Sequence, residues 1–131
     1  MKNKKLIMVD DDEIFIYLTK KAIDSVNIVD LIKVFGNGLD AIDFLKAHAQ
    51  KPEELPEIIF LDLSMPIMDG WQFLEEYILL QPTLGRKIII YIVSSSISPE
   101  DIIRARKITA VTDYIIKPIT KEKLIEVTSL L

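Results

Sequence analysis

The sequence predicts an open, doubly wound α/β sheet, and three observations predict it. Short continuous apolar runs recur along the chain, segments of helical spacing lie between them, and strand and helix alternate in that order five times. The runs occupy residues 6–9, 31–35, 58–61, 88–93 and 114–116, rich in Ile, Val, Leu and Tyr and bounded by charge, Gly or Pro. Strands that are apolar on both faces belong in a parallel sheet covered on both sides.

The intervening segments justify the helices in turn. Ile14, Leu18, Ala22 and Val26 mark one face of a first helix. Leu39, Ile42, Phe44 and Leu45 mark a second, and Trp71, Leu74 and Ile78 a third. Ser98-Pro99-Glu100-Asp101 combines an N-cap, a first-turn proline and two acids suited to the helix dipole, opening a fourth helix through Ile102, Ile103 and Ala105. Thr120 can cap a fifth, which carries Leu124, Val127 and Leu130. Segment 46–57, with Pro52 and Pro56, reads as a frayed helix end and a long surface loop.

Composition sets the outer limits. The 131 residues are half hydrophobic and 27% charged, a globular profile, so one domain spanning 1–131 without an output domain is expected. A formal net charge of −4 offers no basic field for nucleic acid. With no cysteine, disulfides and thiolate metal sites are excluded. Lys2, Lys4 and Lys5 before Leu6-Ile7-Met8-Val9 faintly mimic a secretory signal, but three aspartates follow at once. No run approaches the roughly 18 apolar residues of a membrane helix, so a cytoplasmic protein with no membrane partner is expected.

In such sheets ligands bind at the carboxyl ends of the strands, so the residues that follow each strand decide the chemistry. The first strand ends in Asp10-Asp11-Asp12, the third in Asp62, the fourth in Ser94-Ser95-Ser96 and the fifth in Lys117-Pro118. The second ends in Gly36-Asn37-Gly38, which reads only as a turn. Singly, each has an ordinary explanation: an acidic triplet is commonly a solvated turn or cap, and a lysine after a strand commonly points into water. Jointly, they bring acid, hydroxyl and amine to one edge. Clustered carboxylates repel one another, and Mg²⁺, a hard cation that takes oxygen ligands, relieves the repulsion. A carboxylate can attack a phosphoryl group, and Mg²⁺, Lys117 and Ser94 could neutralise the transferring oxygens.

These residues fall in four ordered motifs. They are Leu6-Ile7-Met8-Val9-Asp10-Asp11-Asp12, Phe60-Leu61-Asp62-Leu63-Ser64-Met65-Pro66-Ile67-Met68-Asp69-Gly70, Ile92-Val93-Ser94 and Asp113-Tyr114-Ile115-Ile116-Lys117-Pro118. Over nearly the whole chain the sequence resembles the receiver domains of response regulators in two-component signalling, the chemotaxis regulator among them. The resemblance implies a flavodoxin-like fold: five parallel strands in the order 2-1-3-4-5 with five helices. It implies Mg²⁺-dependent transfer of a phosphoryl group to Asp62 from a sensor histidine kinase or histidine phosphotransfer protein, not turnover of an external substrate. Asp11 would ligate the metal directly, Asp10 mainly through metal-bound water, and Ser64 through its backbone carbonyl. Lys117 would pair with phosphoryl oxygen, and the Lys117-Pro118 bond would be cis. Ser94 and Tyr114 would form a switch pair that alters helix 4, strand 5 and helix 5 for a downstream target or a second copy of the chain. Asp12 matches no ligand position and reads as a helix cap.

Three rival functions fit less well. An aspartyl-nucleophile phosphatase would carry a second acid two residues beyond the nucleophile, where Ser64 stands. A phosphorylation-independent module would be expected to lack one of Asp11, Asp62 or Lys117. A nucleotide-binding protein of similar fold would need a glycine-rich loop after the first strand. His48, Trp71, Phe73, Met65 and Met68 read as structural or surface residues.

Overall fold

The computed structural model describes residues 3–129. Five strands alternate with five α-helices: β1 (Lys4–Val9), α1 (Glu13–Val26), β2 (Val29–Phe35), α2 (Gly38–Ala47), β3 (Ile58–Leu61), α3 (Gly70–Leu80), β4 (Ile89–Ser94), α4 (Pro99–Arg106), β5 (Val111–Ile116) and α5 (Lys121–Ser129). All neighbouring strands are parallel, in the order β2-β1-β3-β4-β5. The flavodoxin-like architecture expected from the sequence is the one observed.

The side-chain alternation of the strands divides the interior into two cores. Ile7, Val9, Ile59, Leu61, Ile90 and Ile92 meet Ala41, Ile42 and Leu45 of α2, Phe73, Leu74 and Tyr77 of α3, and Ala105 of α4. Leu6, Met8, Ile58, Phe60, Tyr91 and Val93 point the other way, against Phe15, Ala22 and Ile23 of α1 and Leu124 and Val127 of α5. Because both faces are covered, the central strands read as unbroken apolar runs. All four residues of β3 are buried, so truncating any one to alanine should cost about 2–5 kcal/mol.

Several helix faces differ from the sequence expectation. In α1 the buried residues are Phe15, Thr19, Ala22 and Ile23, while Ile14 and Leu18 are exposed. The segment is apolar at nearly every position of its first two turns, so periodicity leaves two adjacent stripes, and the neighbours of Phe15 choose between them. Leu39, Ile78 and Ile103 are likewise exposed, with Phe73 and Tyr77 filling the interior of α3. Leu130 lies outside the described residues.

The connection 46–57 is more ordered than a surface loop. A short 3-10 turn at Pro52–Glu54 leads into Leu55, which is fully buried. The Gly85 N–H donates to Ala49 O at 2.7 Å and Arg86 donates to Leu55 O at 3.0 Å, tying the segment to the approach of β4. His48 closes α2, half-buried, with its ring 4.2 Å from that of Phe44.

Candidate functional site

The sheet itself selects the site. The chain runs from β1 to β2 on one side and then crosses to β3 on the other, so the connections diverge at the carboxyl ends of β1 and β3 and leave a crevice there. Asp10 leaves β1 and Asp62 leaves β3 at this point. Their backbones are bound into the sheet edge: Asp10 N–H donates to Phe35 O and Asp62 N–H to Val9 O, both at 2.8 Å.

Asp10, Asp11 and Asp62 each place a carboxylate oxygen within 4.8 Å of the others; Asp10 and Asp62 are buried and Asp11 is exposed. Lys117, just beyond β5, reaches into the same crevice. Its Nζ lies 3.0 Å from Asp10 Oδ2, 3.4 Å from Asp12 Oδ2 and 3.7 Å from Asp62 Oδ1. The ammonium also sits 4.5 Å from the centre of the Phe15 ring, whose π face favours a cation. The Lys117–Pro118 peptide is cis.

The electrostatics follow from crowding three acids around one amine. Burial raises the Asp62 carboxyl, the charge of Asp10 adds to this, and Lys117 only partly opposes it, leaving the group at about 6. Asp10 is also raised by its burial, against the pull of the Asp12 N–H and Lys117. For Lys117, burial pulls the ammonium down, but the Asp10 hydrogen bond and the charges of Asp10, Asp62 and Asp12 raise it overall. An all-oxygen donor set that stays net negative after its one lysine is counted fits a hard divalent cation.

Asp12 has a separate task. It is the N-cap of α1, accepting from Phe15 N–H at 3.1 Å, and that hydrogen bond lowers its carboxyl, with help from Lys117. Ser94, the last residue of β4, is buried and its Oγ accepts from Ser96 N–H at 3.1 Å. Tyr114, on β5, donates its hydroxyl to Ser96 O at 2.8 Å. Ser64 is exposed in the loop after Asp62. The structure thus gathers Asp10, Asp11, Asp62 and Lys117 directly, with Ser94 and Tyr114 joined through Ser96 on the adjacent loop.

Sequence reasoning missed what several supporting residues do. A Cβ on Gly70 would fall 2.3 Å from Asp62 O, so α3 can start against the Asp62 backbone only with glycine there. Asp69 and Gln72 close a reciprocal capping box on the same helix, a pattern readable in Asp69-Gly70-Trp71-Gln72. Gly36-Asn37-Gly38 is more than a turn: Asn37 caps α2 at Asp40 N–H, and Gly38 N–H donates to Met68 O at 2.8 Å. Trp71 stacks on the Arg104 guanidinium, 4.1 Å from ring centre to Cζ, linking α3 to α4 beside the site. Nothing in the sequence pairs those two residues.

The family model described as the response regulator receiver domain matches residues 6–129. The chain therefore belongs to the response regulator receiver domains of two-component signalling. It is 28% identical over 119 residues to a probable methanogenesis regulatory protein, FilR2, of Methanothrix harundinacea, covering 91% of this chain and 75% of that protein. It is 27% identical over 118 residues to a protein-glutamate methylesterase/protein-glutamine glutaminase of Syntrophomonas wolfei, but spans only 31% of that protein's length against 90% of its own. A two-component response regulator from Cytophaga hutchinsonii has the same fold, with a TM-score of 0.86, 27% identity, and coverage of 98% of this chain and 97% of that one. Receiver domains are signalling modules that interact with histidine kinases and phosphotransfer proteins. No described helix is long and apolar enough to cross a membrane.

Proposed function

We propose that Asp62 accepts a phosphoryl group from the phosphohistidine of a sensor histidine kinase or histidine phosphotransfer protein, in the cytoplasm, and that the product alters a protein-binding surface. The observation that carries this reading is the buried Asp62 carboxylate at the end of β3, between the acids of β1 and the amine of Lys117. A carboxylate oxygen of Asp62 attacks phosphorus; the new P–O bond forms as the P–N bond breaks, and its electron pair stays on the imidazole nitrogen. The product is an acyl phosphate, not a released substrate, so the chain acts as a signalling domain and not as a turnover enzyme.

Asp11, Asp62 and the Ser64 carbonyl would hold Mg²⁺ directly, with Asp10 acting mainly through metal-bound water. Bound Mg²⁺ supplies positive charge to the phosphoryl oxygens. Lys117 is already in the crevice and needs only to exchange a carboxylate partner for a phosphoryl oxygen. The Ser94 hydroxyl donates to another. When it does, Ser94 and Tyr114 rearrange together and change the face made by α4, β5 and α5, where a downstream target or a second copy docks.

Acetyl phosphate with Mg²⁺ should add one phosphoryl group to the wild type and none to Asp62→Asn, because an amide is not a competent nucleophile here. Intact-mass spectrometry reads the difference. Equal labelling of the two proteins would overturn the assignment of Asp62.

A further inference from the structure

The loop from β3 to α3 contains a backbone conformation that its residue disfavours. Ile67 has φ +68°, in the left-handed region, where a β-branched residue is a genuine outlier. Met68 N–H donates to Pro66 O at 2.7 Å across it, which makes a three-residue turn of the rare positive-φ kind. Three anchors impose this turn. Gly38 N–H holds Met68 O at 2.8 Å, Gly70 N–H holds Leu63 O at 3.0 Å, and Asp69 is fixed by its capping box. Glycine or asparagine would adopt the turn with less strain.

Burial does not explain an isoleucine here, because Ile67 is 75% exposed. Among the described residues, Ile14 (74%), Leu79 (75%) and Ile97 (73%) are the other large apolar side chains so far in solvent. Leu79 is near the end of α3 away from the site. Ile14 begins α1 after β1, Ile67 follows β3, and Ile97 follows β4. Those three strands are contiguous, so three exposed isoleucines border the edge where Asp62 opens. A protein that delivers a phosphoryl group to Asp62 must cover this rim, and strain without burial points to a side chain held ready for contact.

We infer that Ile67 is a specificity-determining residue that seats the phosphodonor protein: a fixed apolar knob meeting an apolar surface beside the phosphohistidine. This rests on the phosphoacceptor role proposed for Asp62. A small donor needs no such seat, so Ile67 acts on protein donors alone.

The test compares two donors on Ile67→Asn and Ile67→Gly, with Ile67→Leu as the conservative variant and Leu79→Asn as an equally exposed control. The protein donor is the autophosphorylated histidine kinase of the source organism that labels the wild type fastest; the small donor is acetyl phosphate. With the kinase below saturation, Ile67→Asn and Ile67→Gly should slow transfer by about tenfold, chiefly through KM, as loss of an interface anchor does. Ile67→Leu should restore most of the rate, and Leu79→Asn should leave it unchanged. All four should take phosphate from acetyl phosphate at the wild-type rate, and Ile67→Gly should unfold at higher urea. Undiminished transfer from the kinase to Ile67→Asn overturns the inference while leaving Asp62 as acceptor. Equal slowing with both donors also overturns it, since the loss would then lie in the site. Failure of acetyl phosphate to label the wild type would instead remove the acceptor reading beneath it.

Discussion

At the scale of single residues, the raised carboxyl of Asp62 ties stability to pH. The folded state keeps a proton there up to about 6, whereas an unfolded aspartate gives it up near 3.8. A raised folded value means the contribution is fully present below about pH 4 and is lost as pH rises through about 6. Its size is on the order of 3 kcal/mol, and Asp10 shifts in the same direction. With EDTA present, the urea midpoint of the wild type should fall between pH 4 and pH 7.5. Asp62→Asn should fall less and be the more stable protein at pH 7.5. Parallel profiles for the two would show that Asp62 titrates normally. The residues bearing this chemistry were legible in the sequence because each terminates an apolar run. Phe15 beneath Lys117 was not, since it reads as one more apolar residue of a helix. Nor were the close approaches at Gly70 and Gly38, which depend on segments brought together only by folding.

At the scale of elements, α1 shows how much periodicity leaves open. Residues 14–18 are all apolar, so the stripe through Ile14 and Leu18 and the stripe through Phe15 and Thr19 compete. A threonine on the second stripe argues for the first, yet Thr19 is the buried one. Its Oγ1 has no hydrogen-bond partner, which makes it the exception among buried side-chain polar atoms of the described residues. A buried hydroxyl left unpaired costs about 1–3 kcal/mol, whereas an apolar group of the same shape does not. Thr19→Val should therefore stabilise the protein by about 1 kcal/mol in urea denaturation. A loss of stability would mean that the hydroxyl is satisfied in solution. The caps of α1 and α4 were readable because Asp12 and Ser98 precede helical spacing. The cap of α2 was hidden in a glycine-rich turn.

At the scale of the whole molecule, one sheet separates two cores and presents one chemical edge. Strand number, helix number and the location of that edge were legible because alternating elements and buried parallel strands leave few arrangements. Inter-helix contacts were not, because they depend on how the layers settle. The Trp71–Arg104 stack is one such contact, and it has an optical consequence. Trp71 is the protein's one tryptophan, half-buried beside Ser94, Ser95 and Asp101, with its ring against a residue of α4. Any displacement of α4 changes what surrounds the sole indole. Beryllofluoride with Mg²⁺, a stand-in for the acyl phosphate, should shift the emission of wild-type protein and leave that of Ser94→Ala nearly unmoved. Matching spectral responses in both would mean that the Ser94 hydroxyl does not carry the change to α4. The emission of the unlabelled protein can thus follow its state in real time, a gauge assembled from one indole and one guanidinium on neighbouring helices.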